Sequence, residues 1–148
     1  MPMYNQPAIM EPASTNSPLR QIEYRLRPPL TDEQLNALFA AAWPEHEPRA
    51  FAGVLARSLA WIGAFAGGEL IGFVNVAWDG GSHAFLLDST VHPRHRRRGM
   101  GTELVRRAVE AARDAGVEWM HVDYEPHLDG FYRGCGFGPT AAALMRLR

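Results

Sequence analysis

Residues 60–66 (AWIGAFA) and 70–78 (LIGFVNVAW) are two apolar runs joined through Gly67-Gly68, and so short a link connects only antiparallel neighbours. Asp79-Gly80-Gly81-Ser82 marks a second turn and residues 83–91 a third run, so the middle of the chain is predicted as a three-stranded meander. Upstream, residues 21–27 place Ile22, Tyr24 and Leu26 on one face, the alternation of a half-buried strand, which Pro28-Pro29 ends. Thr31 with Gln34 three residues on forms a capping box, and Leu35, Leu38, Phe39 and Ala42 then recur at helical spacing to about Trp43. Pro44 and Pro48 interrupt the next stretch, leaving a short second helix predicted over 49–57.

Beyond residue 91 the period changes. Leu104, Val105, Ala108, Val109 and Ala112 lie on one stripe of a helix predicted over 102–115, with Gly116 placed to cap it. Residues 117–124 read as a strand, so strand, helix and strand from 83 to 124 make a parallel crossover unit. A short helix near 128–134 and a last strand near 141–147 complete the prediction. The class is α+β, with a mixed, mainly antiparallel central sheet flanked by helices. With 148 residues and 47% apolar content the chain fills one core. Residues 20–148 are predicted as a single domain, and residues 1–19, rich in Pro, Ser and Asn, as a disordered tail.

A formal net charge of −1 lacks the basic balance of a nucleic-acid binder, so any anion site is local. No run approaches the roughly 18 apolar residues of a membrane span, and no basic segment leads into an apolar one at the N-terminus. The single cysteine, Cys135, excludes an internal disulfide. Together these predict a soluble protein in a reduced, cytoplasmic setting.

Between the third strand and the long helix lies HPRHRRRGMG. Gly99 and Gly101 stand where a backbone turns sharply and approaches a ligand without a Cβ in the way. Backbone N–H groups in such a turn, followed by the positive end of a helix dipole, form a socket for phosphate, to which arginines add charge-assisted hydrogen bonds. A nucleotide-triphosphate loop would need a Gly-Lys-Ser/Thr ending, and a dinucleotide fingerprint a third glycine where Leu104 stands.

Arg96, Gly99 and Gly101 supply the pyrophosphate signature of the GNAT superfamily of N-acetyltransferases, which the chain resembles in two further respects. Val91-His92-Pro93 is similar to that family's Val-x-Pro strand ending. Phe131-Tyr132-Arg133-Gly134-Cys135-Gly136-Phe137 is similar to its Phe-Tyr-x-x-x-Gly-Phe segment. The motifs agree in order over residues 83–137.

The resemblance implies a GNAT-like fold in which the strand before the loop and the strand after the long helix splay apart to admit acetyl-CoA as acetyl donor. On this chain it implies that Val91 meets the pantetheine arm and offers its N–H to the thioester carbonyl. Arg96, Arg97, Arg98, Gly99, Met100, Gly101 and Thr102 would hold the pyrophosphate, and Tyr132 would protonate the departing thiolate. The function implied is direct transfer of an acetyl group to a primary amine of a small molecule or peptide.

The base that deprotonates the amine is less defined. Glu125, with His127 just beyond, lies nearest the implied cleft, and Asp88 is an acidic residue within the apolar run AFLLDSTV; both are candidates. Phe85 stands where histone-modifying members carry a glutamate, which argues against a histone tail as acceptor. Trp43, Glu45, His46 and Glu47 lie where the superfamily builds the acceptor pocket. No metal is implied: His92-x-x-His95 has no third ligand nearby. Partners are the amine acceptor alone, with no nucleic acid and no membrane, and a homodimer is among the assemblies the sequence allows. Two rival readings stay open: a non-catalytic acyl-CoA-binding module, and a nucleic-acid binder using Arg94 to Arg98, which leaves the glycines and the apolar helix unexplained.

Overall fold

The computed structural model describes residues 21–148, so the tail predicted over residues 1–19 lies outside the described residues. Five strands form one sheet in the order β1 (Glu23–Leu26), β2 (Ala60–Ala66), β3 (Glu69–Trp78), β4 (His83–Val91) and β5 (Trp119–Val122). The first four are antiparallel neighbours and β5 joins β4 in parallel. Helices α1 (Asp32–Ala42) and α2 (Ala52–Arg57) lie between β1 and β2, α3 (Met100–Asp114) crosses from β4 to β5, and α4 (Asp129–Gly134) follows β5. This mixed α+β sheet is the class predicted from the residue pattern.

Local chemistry explains most boundaries. Gly67 and Gly68 both take positive φ, at 55° and 84°, as a two-residue hairpin turn requires. The capping box closes as predicted: the Gln34 N–H donates to Thr31 Oγ1 at 3.1 Å, and the Thr31 N–H to Gln34 Oε1 at 2.9 Å. Gly116 ends α3 in a Schellman turn, its N–H bonding the Arg113 carbonyl and the Val117 N–H that of Ala112. Helix α4 ends the same way at Gly136, which returns Phe137 to within 5.9 Å of the Tyr132 ring.

The middle of the sheet is covered on both faces, so β3 reads as nearly continuous apolar sequence. One face packs Ile62, Val74, Val76 and Leu86 against Met100, Leu104, Val105 and Ala108 of α3. On the other, Phe65, Leu70 and Phe73 meet Leu35, Leu38 and Phe39 of α1, with Phe51 and Leu55. A Cβ on Gly72 would stand 3.0 Å from Leu104 and 3.1 Å from the Met100 sulfur, so this glycine lets the first turn of α3 sit directly on β3.

Three boundaries differ from the sequence prediction. Helix α2 begins at Ala52 instead of residue 49, because the N–H groups of Arg49 and Phe51 are held by the side chains of Asn36 and Asp32. Strand β5 is shorter than 117–124, since its pairing with β4 ends at Leu86 and Val122. The strand predicted over 141–147 does not form: residues 137–148 are neither helix nor strand, and an alternating pattern becomes a strand only where another strand supplies ladder partners.

A splayed sheet, a phosphate-type loop and an acidic groove

Strand β4 runs five residues beyond its last pair with β5. A gap therefore opens between the two parallel strands, and β4 shapes one wall of it. Its pairing with β3 shifts register between Phe73 and Asn75, with one extra residue on the β4 side. Asp88 sits in this bulge at φ 57°, and Thr90 Oγ1 donates to its carbonyl at 2.9 Å. Past the bulge, the His92 N–H bonds the Ile71 carbonyl on β3 at 2.8 Å. Strand alternation then turns the amide of Val91, one residue earlier, toward the β5 side and the gap.

The loop closes the foot of that gap. After a 3-10 turn (Pro93–His95) the backbone passes through the left-handed region at Arg97, φ 62°, and again at Gly99, φ 79°, the N-cap of α3. Such reversals turn successive N–H groups inward as an anion-binding concavity, here at the positive end of a fifteen-residue helix. A Cβ on Gly101 would lie 3.3 Å from the Phe131 ring and 4.0 Å from Val91, so strand end, helix start and α4 meet at this one residue. The cradle fits a diphosphate: exposed backbone at 97–99, with helical N–H groups of Met100, Gly101 and Thr102 behind it.

The arginines divide. Arg97 and Arg98 are exposed at the rim. Arg96 instead folds back, its Nε donating to the Val91 carbonyl at 3.3 Å and its Nη2 to the Ala42 carbonyl at 3.4 Å. Its side chain thus braces the loop against β4 and the end of α1. His95, partly buried and beside His92 and Arg98, has its pKa pushed below the ordinary imidazole value, burial being the main cause.

Tyr132 is buried against α3 and stacks on Tyr124 with ring centroids 4.9 Å apart. The two tyrosines differ in their hydroxyls. Tyr124 donates to Asp129 at 2.8 Å, a bond that raises its pKa, and Asp129 also accepts from Arg133. Among the described residues nothing hydrogen-bonds the Tyr132 hydroxyl. Glu125 is exposed three residues past β5 and starts the 3-10 turn Pro126–Leu128. Cys135 is half-buried and its thiol pKa is pushed up by burial, the environment of an unreactive cysteine.

On the sheet face covered by α1, a groove of about 620 Å³ is lined by Phe39, Trp43, Glu45, His46, Glu47, Arg49 and Asp88. Three acidic side chains thus share it with one arginine. Asn36, which the sequence pattern did not single out, shapes it: Asn36 Oδ1 lies 2.8 Å from His46 Nε2 and accepts from the Arg49 N–H, while its Nδ2 donates to the Arg49 carbonyl. Arg49, likewise missed, stacks over Phe51 and approaches Asp88 to 3.7 Å. Burial raises the Asp88 pKa, against the opposing pull of Arg49. No signal in the sequence joins Asn36 and Asp88 to a loop that begins at Pro44. Among the described residues, no three His, Cys, Asp or Glu side chains gather as a metal site, and no helix is long and apolar enough to cross a membrane.

Comparison with known proteins places this arrangement. A glucosamine 6-phosphate N-acetyltransferase of Oryza sativa subsp. japonica is 44% identical over 50 residues, which are 34% of this chain and 30% of that protein. The match therefore spans under a third of the relative. A GNAT family acetyltransferase structure from Streptococcus pneumoniae TIGR4 superposes with a TM-score of 0.72 over 86% of this chain and 99% of the other, at 22% identity. An aminoglycoside N-acetyltransferase solved in complex with CoA superposes at 0.67 over 86% and 94%, at 21% identity. The model of the "Acetyltransferase (GNAT) family" matches residues 26–137, from β1 through the Schellman turn that ends α4, and the chain belongs to that family.

Proposed function

We propose that the protein transfers an acetyl group from acetyl-CoA to a primary amine, carried by a small molecule or peptide and cationic in its resting form, directly within a ternary complex. The observation that carries this reading is the gap beyond Leu86 and Val122, with the Val91 amide facing it and the loop amides of 97–102 at its foot. Family membership supports an acetyl-transferring enzyme, and the CoA-bound aminoglycoside N-acetyltransferase of the same fold supports the donor.

Each residue has one task. Backbone N–H groups from Arg97 to Thr102 bind the diphosphate, with Arg97 and Arg98 at its edge and Arg96 bracing the loop. The Val91 N–H donates to the acetyl carbonyl oxygen, where negative charge builds as the amine adds. Glu45 and Glu47 attract a cationic amine into the groove at Asp88. Asp88 takes one proton from the ammonium, the freed nitrogen bonds the acetyl carbon as the carbon–sulfur bond breaks, and Tyr132 gives its proton to the sulfur. Glu125, on the β5 side of the gap, is the second carboxylate and serves the released proton near solvent. The amide keeps one of the three ammonium protons, Asp88 takes the first of the other two and Glu125 the second as the amide forms, and the thiol takes that of Tyr132; solvent then removes both carboxyl protons and returns one to the tyrosinate.

The test is an acceptor screen over amino sugars, aminoglycosides, amino acids and short peptides, read as CoA thiol release, alongside calorimetry with acetyl-CoA. Saturable release with at least one amine is expected. Folded protein that takes up no acetyl-CoA would overturn the reading, and uptake without turnover on any amine would leave the non-catalytic binding module in its place.

A further inference from the structure

The groove that holds Asp88 also holds an imidazole whose proton has a fixed place. Asn36, on α1, has its amide set by the backbone it faces: the Arg49 N–H donates to Oδ1 at 3.0 Å, and Nδ2 donates to the Arg49 carbonyl at 2.9 Å. Exchanging oxygen and nitrogen would break both bonds, so Oδ1 is the atom that meets His46, whose Nε2 lies 2.8 Å away. An amide oxygen has no hydrogen to give. Nε2 therefore carries one, and in the neutral ring the free lone pair belongs to Nδ1.

The ring itself is held as well. It stands edge-on to Phe39, with centroids 5.5 Å apart at 88°, and the His46 N–H bonds the Trp43 carbonyl at 3.0 Å. Nδ1 is left open: no described residue bonds it, it is not buried, and His46 lines the groove with Glu45, Glu47 and Asp88. Arg49, the one arginine lining the groove, approaches Asp88. Glu45, Glu47, Asp88 and His46 thus all offer acceptors to whatever enters. We propose that His46 sets the specificity for the acetyl acceptor: its Nδ1 takes a hydrogen bond from a second donor, hydroxyl or ammonium, on the molecule whose amine Asp88 deprotonates. This rests on the acetyl-transfer reading and narrows it, from primary amines at large to amines that bear a further donor. A methyl group in the same place would strip water from Nδ1 and return no bond, so the fixed lone pair discriminates against it.

The experiment uses the full chain, with saturating acetyl-CoA, on ethanolamine, ethylenediamine and propylamine, which match in size and differ in presenting hydroxyl, ammonium or methyl at the far end. Read as kcat/KM from thiol release, propylamine is expected to fall about tenfold below the better of the other two, the effect of one hydrogen bond, and whichever of those two leads tells hydroxyl from ammonium. His46→Gln can keep the bond to Asn36 through its amide nitrogen but has no atom in place of Nδ1, and should bring ethanolamine and propylamine within about twofold of each other. His46→Asn, whose amide oxygen falls near the Nδ1 position, should restore part of the preference. Each readout is a ratio within one variant, so a loss of folded protein does not imitate it. Long-range nitrogen-15 correlation spectra of the full chain with labelled histidine should show the Nε2–H tautomer for neutral His46. Propylamine turned over as fast as the other two, a preference untouched by His46→Gln, or an Nδ1–H tautomer would each overturn the proposal and leave acetyl transfer standing, whereas no release with any amine would remove both.

Discussion

The Arg96 side chain donates to the carbonyl of Val91, five residues earlier, at 3.3 Å, so an arginine of the loop is tied to the strand the loop leaves. Its other nitrogen reaches the Ala42 carbonyl at the end of α1, where helix carbonyls lack intrahelical partners. One side chain thus joins the gap wall, the loop and the end of α1.

Arg96→Ala is expected to weaken acetyl-CoA binding about fivefold, the effect of roughly 1 kcal/mol for long charge-assisted bonds of this kind. Arg96→Lys should recover little, because an ammonium cannot serve two carbonyls in the planar arrangement of the guanidinium. Calorimetry with acetyl-CoA on both variants checks this; affinity equal to the parent chain would show that the brace is dispensable.

Two loop glycines are expected to fail in different ways when changed to alanine. Gly99 has open space around its Cα but a φ of 79°, so Gly99→Ala carries backbone strain of about 1 kcal/mol and lowers thermal stability. Gly101 has helical backbone, yet an added methyl meets the Phe131 ring at 3.3 Å and must displace it. Since Phe131 packs edge-on against Tyr132 at 4.9 Å, Gly101→Ala should lower turnover more than it lowers the melting temperature. Melting curves and steady-state rates on the pair separate strain from displacement.

The stacked tyrosines offer a matched control. Tyr132→Phe keeps the stack and removes a hydroxyl that no described residue bonds, so turnover is expected to fall about 100-fold, the low end for a lost general acid, with acetyl-CoA affinity unchanged. Tyr124→Phe removes the bond to Asp129 instead and should lower the melting temperature slightly while turnover holds within about threefold. A reversed pattern, with Tyr124→Phe the slower enzyme, would move the acid role to the other ring.

The parts legible in the sequence were those governed by neighbours along the chain. Gly67-Gly68, the Thr31 and Gln34 box, and Gly116 at the end of α3 each act over a few residues, and these turns and caps stand where the pattern put them. The glycine turn before α3 was legible for the same reason, although the helix begins at Met100, two residues before its predicted start. What escaped was set by contacts across the fold. The positive φ of Asp88 comes from a register shift against β3, the start of α2 from two side chains of α1, and the inward turn of Arg96 from carbonyls 5 and 54 residues away. Residues 141–147 carry a strand pattern, but pairing needs a partner that sequence alone does not supply.

With Asp88 as the proposed base, its approach to Arg49 sets the expected pH behaviour. Burial raises the Asp88 pKa above its ordinary 3.8, and Arg49 at 3.7 Å restrains the rise. A base works only when ionised, so kcat/KM should climb with pH through this raised value and lose that limb in Asp88→Asn, with about a 100-fold fall at neutral pH. Arg49→Ala removes the restraint and should move the limb to higher pH, whereas Arg49→Lys should hold it near its original place. Stability runs in the opposite direction. A carboxyl whose folded pKa is raised favours the native state most while protonated in both states, below about pH 3.8, and that contribution is lost as pH rises through the folded value. At pH 7 Asp88→Asn is therefore expected to raise the melting temperature as it abolishes the acid limb. A variant that melts lower at pH 7, or keeps the limb, would show that Asp88 holds the bulge together and leaves the proton to another group.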